Sequence, residues 1–264
     1  MLRVEHVGWQ FATGARLLED VHFAAARGEW TAVIGPNGAG KTSLMRLLVG
    51  LRAPSAGRIT LDGRALESYD ALARARRIAY VPQASGSAWD VSVRELVALG
   101  RLMHAGCAAQ SEDAEAIDEA LEVCDLTALA GRGWRGLSGG ERARTVLARA
   151  LCARTPWLVA DEPFAALDVR HQWQLADAVQ GLRARGVGGV LAMHDVALAA
   201  RCCTRFLLLA DGRQLAHAPL AEIAARGLFR RAFGMELKAV RHGGAEIFVP
   251  LWPKRRIAQR AQKR

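Results

Sequence analysis

Eight residues, Gly35-Pro36-Asn37-Gly38-Ala39-Gly40-Lys41-Thr42, constrain this chain more than any others. They fit the spacing G-x-x-x-x-G-K-[ST] of a phosphate-binding loop. The apolar run Trp30-Thr31-Ala32-Val33-Ile34 ahead of them reads as a buried strand. Residues 43–49 after them read as a helix with Leu44, Leu47 and Leu48 on one face. Glycines let the loop curl with its N–H groups turned inward, toward the β- and γ-phosphates of a nucleotide. Lys41 reaches the same phosphates, the Thr42 hydroxyl suits Mg²⁺, and Ser43 opens the helix whose N-terminal dipole favours the anion. A strand–loop–helix of this kind implies an α/β fold that binds a nucleoside triphosphate. It leaves open what hydrolysis drives.

Length and charge narrow the classes. A chain of 264 residues, 51% of them apolar, suits one domain with a sizeable core. No apolar run approaches the roughly 18 residues that a membrane-spanning helix needs. The first residues, Met1-Leu2-Arg3-Val4-Glu5-His6-Val7, alternate like a strand and lack a signal peptide's apolar stretch. The expectation is a soluble, cytosolic protein unless a partner docks it on a membrane. The five cysteines, Cys107, Cys124, Cys152, Cys202 and Cys203, form no C-x-x-C pair and read as free thiols in a reducing compartment. The net charge of +10 is uneven: from Arg241 onward seven bases face the single acid Glu246. Residues 253–264 therefore form a basic tail, either a solvated flexible terminus or a contact for anionic lipid or nucleic acid.

Further strand patterns follow the loop. Residues 77–81 end in Pro82-Gln83, residues 157–160 run into Asp161-Glu162-Pro163, and residues 189–193 end at His194-Asp195. Between the first two, helical patterns at 93–99 and 114–124 form an insert. In the second of these, Ile117, Leu121 and Cys124 fall on one face. The segment Leu137-Ser138-Gly139-Gly140-Glu141 then opens an Ala/Arg-rich helix to about residue 153. A helix over about 169–183 and strands at 206–209 and 213–216, joined by Asp211-Gly212, precede two short helices and two short strands. Strands that each end in a polar cluster, with helices between, predict a mainly parallel sheet with its ligand edge at the strands' carboxyl ends. The whole divides into one domain over 1–252, with a helical subdomain over about 84–145, and the tail.

The polar clusters carry chemistry. Asp161, at the end of an apolar strand, is positioned to hold Mg²⁺ through water. Glu162 points elsewhere and suits a general base that polarises an attacking water. Gln83 is positioned to meet the metal and that water, and His194 to stabilise charge on the γ-phosphate. Ser138 with Gly139 and Gly140 before a helix is a second phosphate-facing geometry. Two phosphate cradles with one lysine predict that two chains sandwich each nucleotide.

Together these segments resemble the nucleotide-binding subunit of an ATP-binding-cassette transporter, over almost the whole chain and in the family's order. Residues 35–42 match its Walker A motif, Gln83 its Q-loop, and residues 137–141 its signature motif. Residues 158–162 match Walker B with the catalytic Glu162, Ala165-Ala166-Leu167-Asp168 the D-loop, and His194 the switch histidine. The resemblance implies a P-loop NTPase core with a mainly parallel sheet, an N-terminal antiparallel β subdomain and a helical insert. It implies ATP and Mg²⁺ as ligands, the metal at Thr42, Gln83 and Asp161, and Asp168 at the nucleotide interface. It also implies an aromatic residue stacked on adenine, for which Phe11 aligns best and Trp9 is the alternate. Two positions depart from the family's commoner pattern: Glu141 stands where Gln is usual, and Ala165 where Ser is frequent.

Residues 35–40, 194–199 and 228–234, with the strand-like ending, are similar to the importer group for ferric siderophores, haem and cobalamin. That likeness implies integral-membrane permease subunits, a second copy of the chain in an ATP-sandwich dimer, and a periplasmic or lipoprotein substrate-binding protein. The location implied is the cytoplasmic face of the inner membrane. An importer of zinc or manganese and an exporter are the near alternatives. A cassette ATPase on nucleic acid fits less well, because the second cassette, long coiled coil or zinc-binding insert usual there is missing. A non-catalytic scaffold is disfavoured by the retained Lys41, Asp161, Glu162 and His194.

Overall fold

Burial on both faces of the central strands organises the molecule. The computed structural model describes residues 1–11, 13–83, 90–106, 110–242 and 245–252. In β3 (Trp30–Ile34), every residue is buried, as in β7 (Trp157–Asp161) and β8 (Gly188–Ala192), and β9 (Arg205–Ala210) is nearly so. Alternate residues serve two separate cores, as a strand's two-residue period requires. Trp30, Ala32, Leu158, Ala160, Phe206 and Leu208 face one core, while Val33, Val159, Val190 and Leu207 face the other. The two tryptophans that begin β3 and β7 need room: a Cβ on Gly189 would lie 2.3 Å from the Trp30 ring.

Among the described residues one ten-stranded sheet runs from antiparallel to parallel. Its antiparallel end contains β1 (Leu2–Gln10), β2 (Arg16–Ala25), β4 (Ala56–Leu61) and β5 (Arg64–Ala65). Its parallel centre is β9-β3-β8-β7, closed by β6 (Ile78–Val81), while β10 (Arg213–Ala218) joins the two parts. The N-terminal antiparallel β subdomain and the mainly parallel core are thus both present. A separate hairpin pairs β11 (Glu236–His242) with β12 (Ala245–Leu251), following two short helices, α8 (Leu220–Ala225) and α9 (Leu228–Phe233).

The remaining helices are α1 (Lys41–Leu48), α2 (Ala71–Ala75), α3 (Val93–Ala98), α4 (Gln110–Val123), α5 (Gly139–Cys152), α6 (Val169–Ala184) and α7 (Val196–Cys202). Two begin earlier than the apolar pattern predicts. Helix α1 starts at Lys41 rather than residue 43, and α4 at Gln110 rather than 114, because first turns are polar and carry no apolar period. The buried line of α4 is Ala116, Ala120 and Leu121, joined by Cys124 just beyond its end, whereas Ile117 is only half-buried. Cys124, Cys152, Cys202 and Cys203 are free and buried. Cys107, the turn Ser85-Gly86-Ser87 and the basic tail lie outside the described residues.

Candidate functional site

The phosphate loop joins β3 to α1 through Gly40, whose φ of 95° is left-handed and which ends the loop with no side-chain cap on the helix. A Cβ there would lie 2.5 Å from Leu18 of β2, so the antiparallel subdomain backs the loop. Lys41 is buried; its Nζ donates to the carbonyls of Gly35 at 2.8 Å and Pro36 at 3.2 Å. Burial lowers its pKa below the usual lysine range, against the raising effect of the Glu162 and Asp161 carboxylates.

Strand β7 delivers Asp161 and Glu162 to the same edge but aims them apart. Asp161 is 1% exposed, and neither carboxylate oxygen has a hydrogen-bond partner. Burial pushes its carboxyl above the usual range; the Thr42 hydroxyl stands close enough to favour the charged form without completing a hydrogen bond. Glu162 then breaks the strand with a φ of 54°. A left-handed non-glycine residue is strained by about 1–3 kcal/mol, and such strain is characteristic of functional sites. It turns the Glu162 carboxylate into a clamp: the Gln83 amide donates to Oε2 at 3.0 Å, and His194 Nε2 lies 2.6 Å from Oε1. The three residues that the sequence singled out on separate strands therefore meet. Arg46 and Tyr80, which the sequence did not single out, also feel Asp161: Arg46 lowers its pKa, and Asp161 together with burial raises that of the Tyr80 hydroxyl. No motif marks either residue.

The second phosphate-facing segment is built differently. Ser138 caps α5 in a reciprocal capping box: its Oγ accepts from Glu141 N at 3.3 Å, and Glu141 Oε2 accepts from Ser138 N at 2.6 Å. That bond to the Ser138 backbone holds the Glu141 carboxyl below the usual range. Gly139 lines a cleft of about 260 Å³ with Gln83, Glu162, Pro163 and Ala166, so the signature segment adjoins the clamp of its own chain. Asp168 caps α6, its Oδ1 accepting from His171 N at 2.9 Å, and makes no bond to the phosphate loop. The aromatic candidates separate cleanly. Trp9 is 7% exposed with the Arg52 guanidinium 4.7 Å over its ring, whereas Phe11 is 45% exposed and meets Trp9 edge-on at 4.8 Å. Phe11 alone of the two keeps an open face.

Residues 18–165, more than half of the chain, match the profile of the ABC transporter family. The chain belongs to that family. The hemin import ATP-binding protein HmuV of Rhodococcus jostii is 37% identical over 90% of this ABC ATPase and 82% of its own length. The cobalamin import ATP-binding protein BtuD of Halobacterium salinarum is 40% identical over 76% of this chain and 50% of its own. Among solved structures, one described as a metal-chelate type ABC transporter in an inward-facing conformation superposes with a TM-score of 0.78 at 27% identity, covering 95% of this chain and 97% of that one.

Proposed function

We propose that this ABC ATPase powers a membrane importer of a haem- or cobalamin-type metal chelate, the class that includes iron-siderophores. The observation that carries the catalytic part is the Glu162 carboxylate, held between Gln83 and His194 beside the buried Asp161. The cargo class rests on the names of the relatives.

The residues assign themselves roles by chemistry. Lys41 and the backbone N–H groups of Gly38 and Gly40 hold the phosphates, with Gly35, Pro36, Asn37 and Ala39 shaping the loop, where Ala39 N donates to Pro36 O at 3.2 Å, and Thr42 and Ser43 closing it. The orphaned oxygens of Asp161 fit a divalent cation, and with Thr42 and Gln83 they would hold Mg²⁺. When bound, that ion neutralises charge on the phosphate oxygens. Glu162 accepts a hydrogen bond from the attacking water and polarises it, Gln83 fixes one carboxylate oxygen, and His194 orients the other while facing the γ-phosphate. Phe11 offers its open face to adenine. Ser138, Gly139, Gly140 and Asp168 serve the nucleotide of a second copy, a reading supported by the second phosphate-facing segment that lacks a lysine of its own and by an Asp168 that makes no bond to the phosphate loop of its own chain. Closure and reopening of that dimer move the permease.

Exposed Leu72 on α2, and Leu99 and Leu102 after α3, support a permease contact on this side; Arg76 Nε donates to Met103 O at 2.7 Å and joins the two segments. No helix among the described residues is long and apolar enough to cross a membrane. By likeness to the hemin and cobalamin import relatives, its proposed working location is the cytoplasmic face of the inner membrane, through permease subunits served by a separate substrate-binding protein. The test is turnover of the purified permease complex with Glu162→Gln. ATP binding is retained and hydrolysis falls about 10²–10³-fold; undiminished turnover overturns the role of Glu162. Uptake of haem, cobalamin and ferric siderophore by the same complex in vesicles assigns the cargo, and transport of none of them overturns the class.

A further inference from the structure

Two of the three register shifts between β1 and β2 are reciprocal bulges. Val4 faces Phe23 and Val7 faces Val21, so Glu5 and His6 together oppose His22; Trp9 faces Leu18, so Glu19 and Asp20 together oppose Gly8. His6 and Asp20 sit in these bulges with φ of 50° and 55°. Val7 and Val21 between them are fully buried, which sends His6, Asp20 and His22 out on the solvent side.

There the three side chains converge. His6 Nδ1 lies 2.6 Å from Asp20 Oδ1, and His22 Nδ1 lies 4.0 Å from the same oxygen. The imidazole centroids are 5.6 Å apart, and one ligand atom from each of the three residues lies within 4.8 Å of the others. Among the described residues no other three His, Cys, Asp or Glu side chains meet in this way. A zinc-type ion sits about 2.0–2.2 Å from imidazole nitrogen or carboxylate oxygen, so its tetrahedral ligands lie about 3.3–3.5 Å apart. All three side chains are exposed, and small side-chain rotations, which for His22 include leaving the Asp20 carbonyl 3.3 Å from its Nδ1, would close the set to that size. The four described cysteines do not compete, because burial raises their thiol pKa values.

We propose that His6, Asp20 and His22 bind one divalent transition-metal ion of the zinc class, with water completing its coordination. Two imidazoles and one carboxylate favour Zn²⁺, Co²⁺ or Ni²⁺ over Mg²⁺. The site is therefore chemically distinct from the oxygen donors around Asp161. The ion staples β1, which runs on toward Phe11, to β2, whose Leu18 backs Gly40.

The test uses the full chain, freed of metal with a chelator and titrated with ZnCl₂ by calorimetry without nucleotide. One ion per chain binds, the thermal midpoint rises, and Co²⁺ gives a visible absorption band. The His6→Ala/His22→Ala double variant weakens Zn²⁺ binding by about 100-fold or more, beyond the loss typical of an outer-shell group. Circular dichroism checks its fold. The single His22→Ala variant, outside the left-handed positions, repeats the measurement where the double variant is unstable. A wild-type chain that takes up no Zn²⁺, or variants that bind it as tightly as wild type, overturn the site.

Discussion

Two helices of this protein begin with a glycine-rich, phosphate-facing sequence, and their N-termini are finished in opposite ways. Helix α1 follows Gly40 directly and has no side-chain cap, so its first N–H groups are left for an anion. Helix α5 closes on itself through Ser138 and Glu141, placing a carboxylate at its third residue where α1 carries Ser43, and a glycine at its first where α1 carries Lys41. The first leaves its N-terminus open and brings Lys41 to it from the same chain. The second is a satisfied cap, with Arg132 3.7 Å from Glu141 offsetting part of the negative charge, and the proposed role of Ser138 and its glycines is toward the phosphates of another copy. The difference teaches that sequence likeness to a phosphate cradle does not by itself state whose phosphate is held.

Substitutions at the two termini can break this contrast. Lys41→Ala has the largest expected effect: MgATP affinity of the isolated chain falls by about 100-fold or more, roughly 3 kcal/mol, measured by calorimetry. Asp161→Asn comes next. It removes hydrolysis yet stabilises the protein without nucleotide or divalent metal by about 1 kcal/mol or more, since an unpaired buried charge is lost. The sign follows from the raised carboxyl pKa: ionisation is harder in the folded state, so wild type loses stability as pH rises through its folded pKa. The gap in thermal midpoint between Asp161→Asn and wild type therefore widens from acid to neutral pH; a constant gap would contradict the buried charge. Ser138→Ala costs about 1 kcal/mol of stability through the lost cap. It lowers turnover of the complex but leaves ATP affinity of the isolated chain unchanged. Weakened binding by that isolated chain would place Ser138 in its own nucleotide site and end the contrast. Glu141→Gln is the smallest, within about 0.5 kcal/mol in melting experiments, because Gln also completes a capping box.

Much of this was legible before any fold was known. The strand patterns at 30–34, 157–160 and 189–193 announce themselves within a residue of the observed bounds because both faces are buried and nearly every residue is apolar or small. The caps at Ser138 and Asp168 are short-range chemistry too, but the sequence marked these residues only as nucleotide-facing and not as caps. Other elements were hidden. The alternation of β2 shifts phase at the bulge that carries Asp20, and α2, with no buried residue, has no apolar face to reveal it. That Phe11 is exposed while Trp9 is covered by Arg52, a residue distant in sequence, is likewise visible only in the fold.

The sequence by itself determined the local chemistry: a phosphate loop between strand and helix, an acidic pair ending another strand, and the order of motifs that marks the family. These follow from contiguous residues whose hydrogen bonds and apolar periods are short-range. The tertiary structure alone decided which side chains meet. Gln83, Glu162 and His194 come from three strand ends and converge because β6, β7 and β8 lie side by side in that order, aligned by two-sided burial. His6, Asp20 and His22 converge because two bulges cancel each other's register shift, a pairing between strands that no single stretch of sequence records.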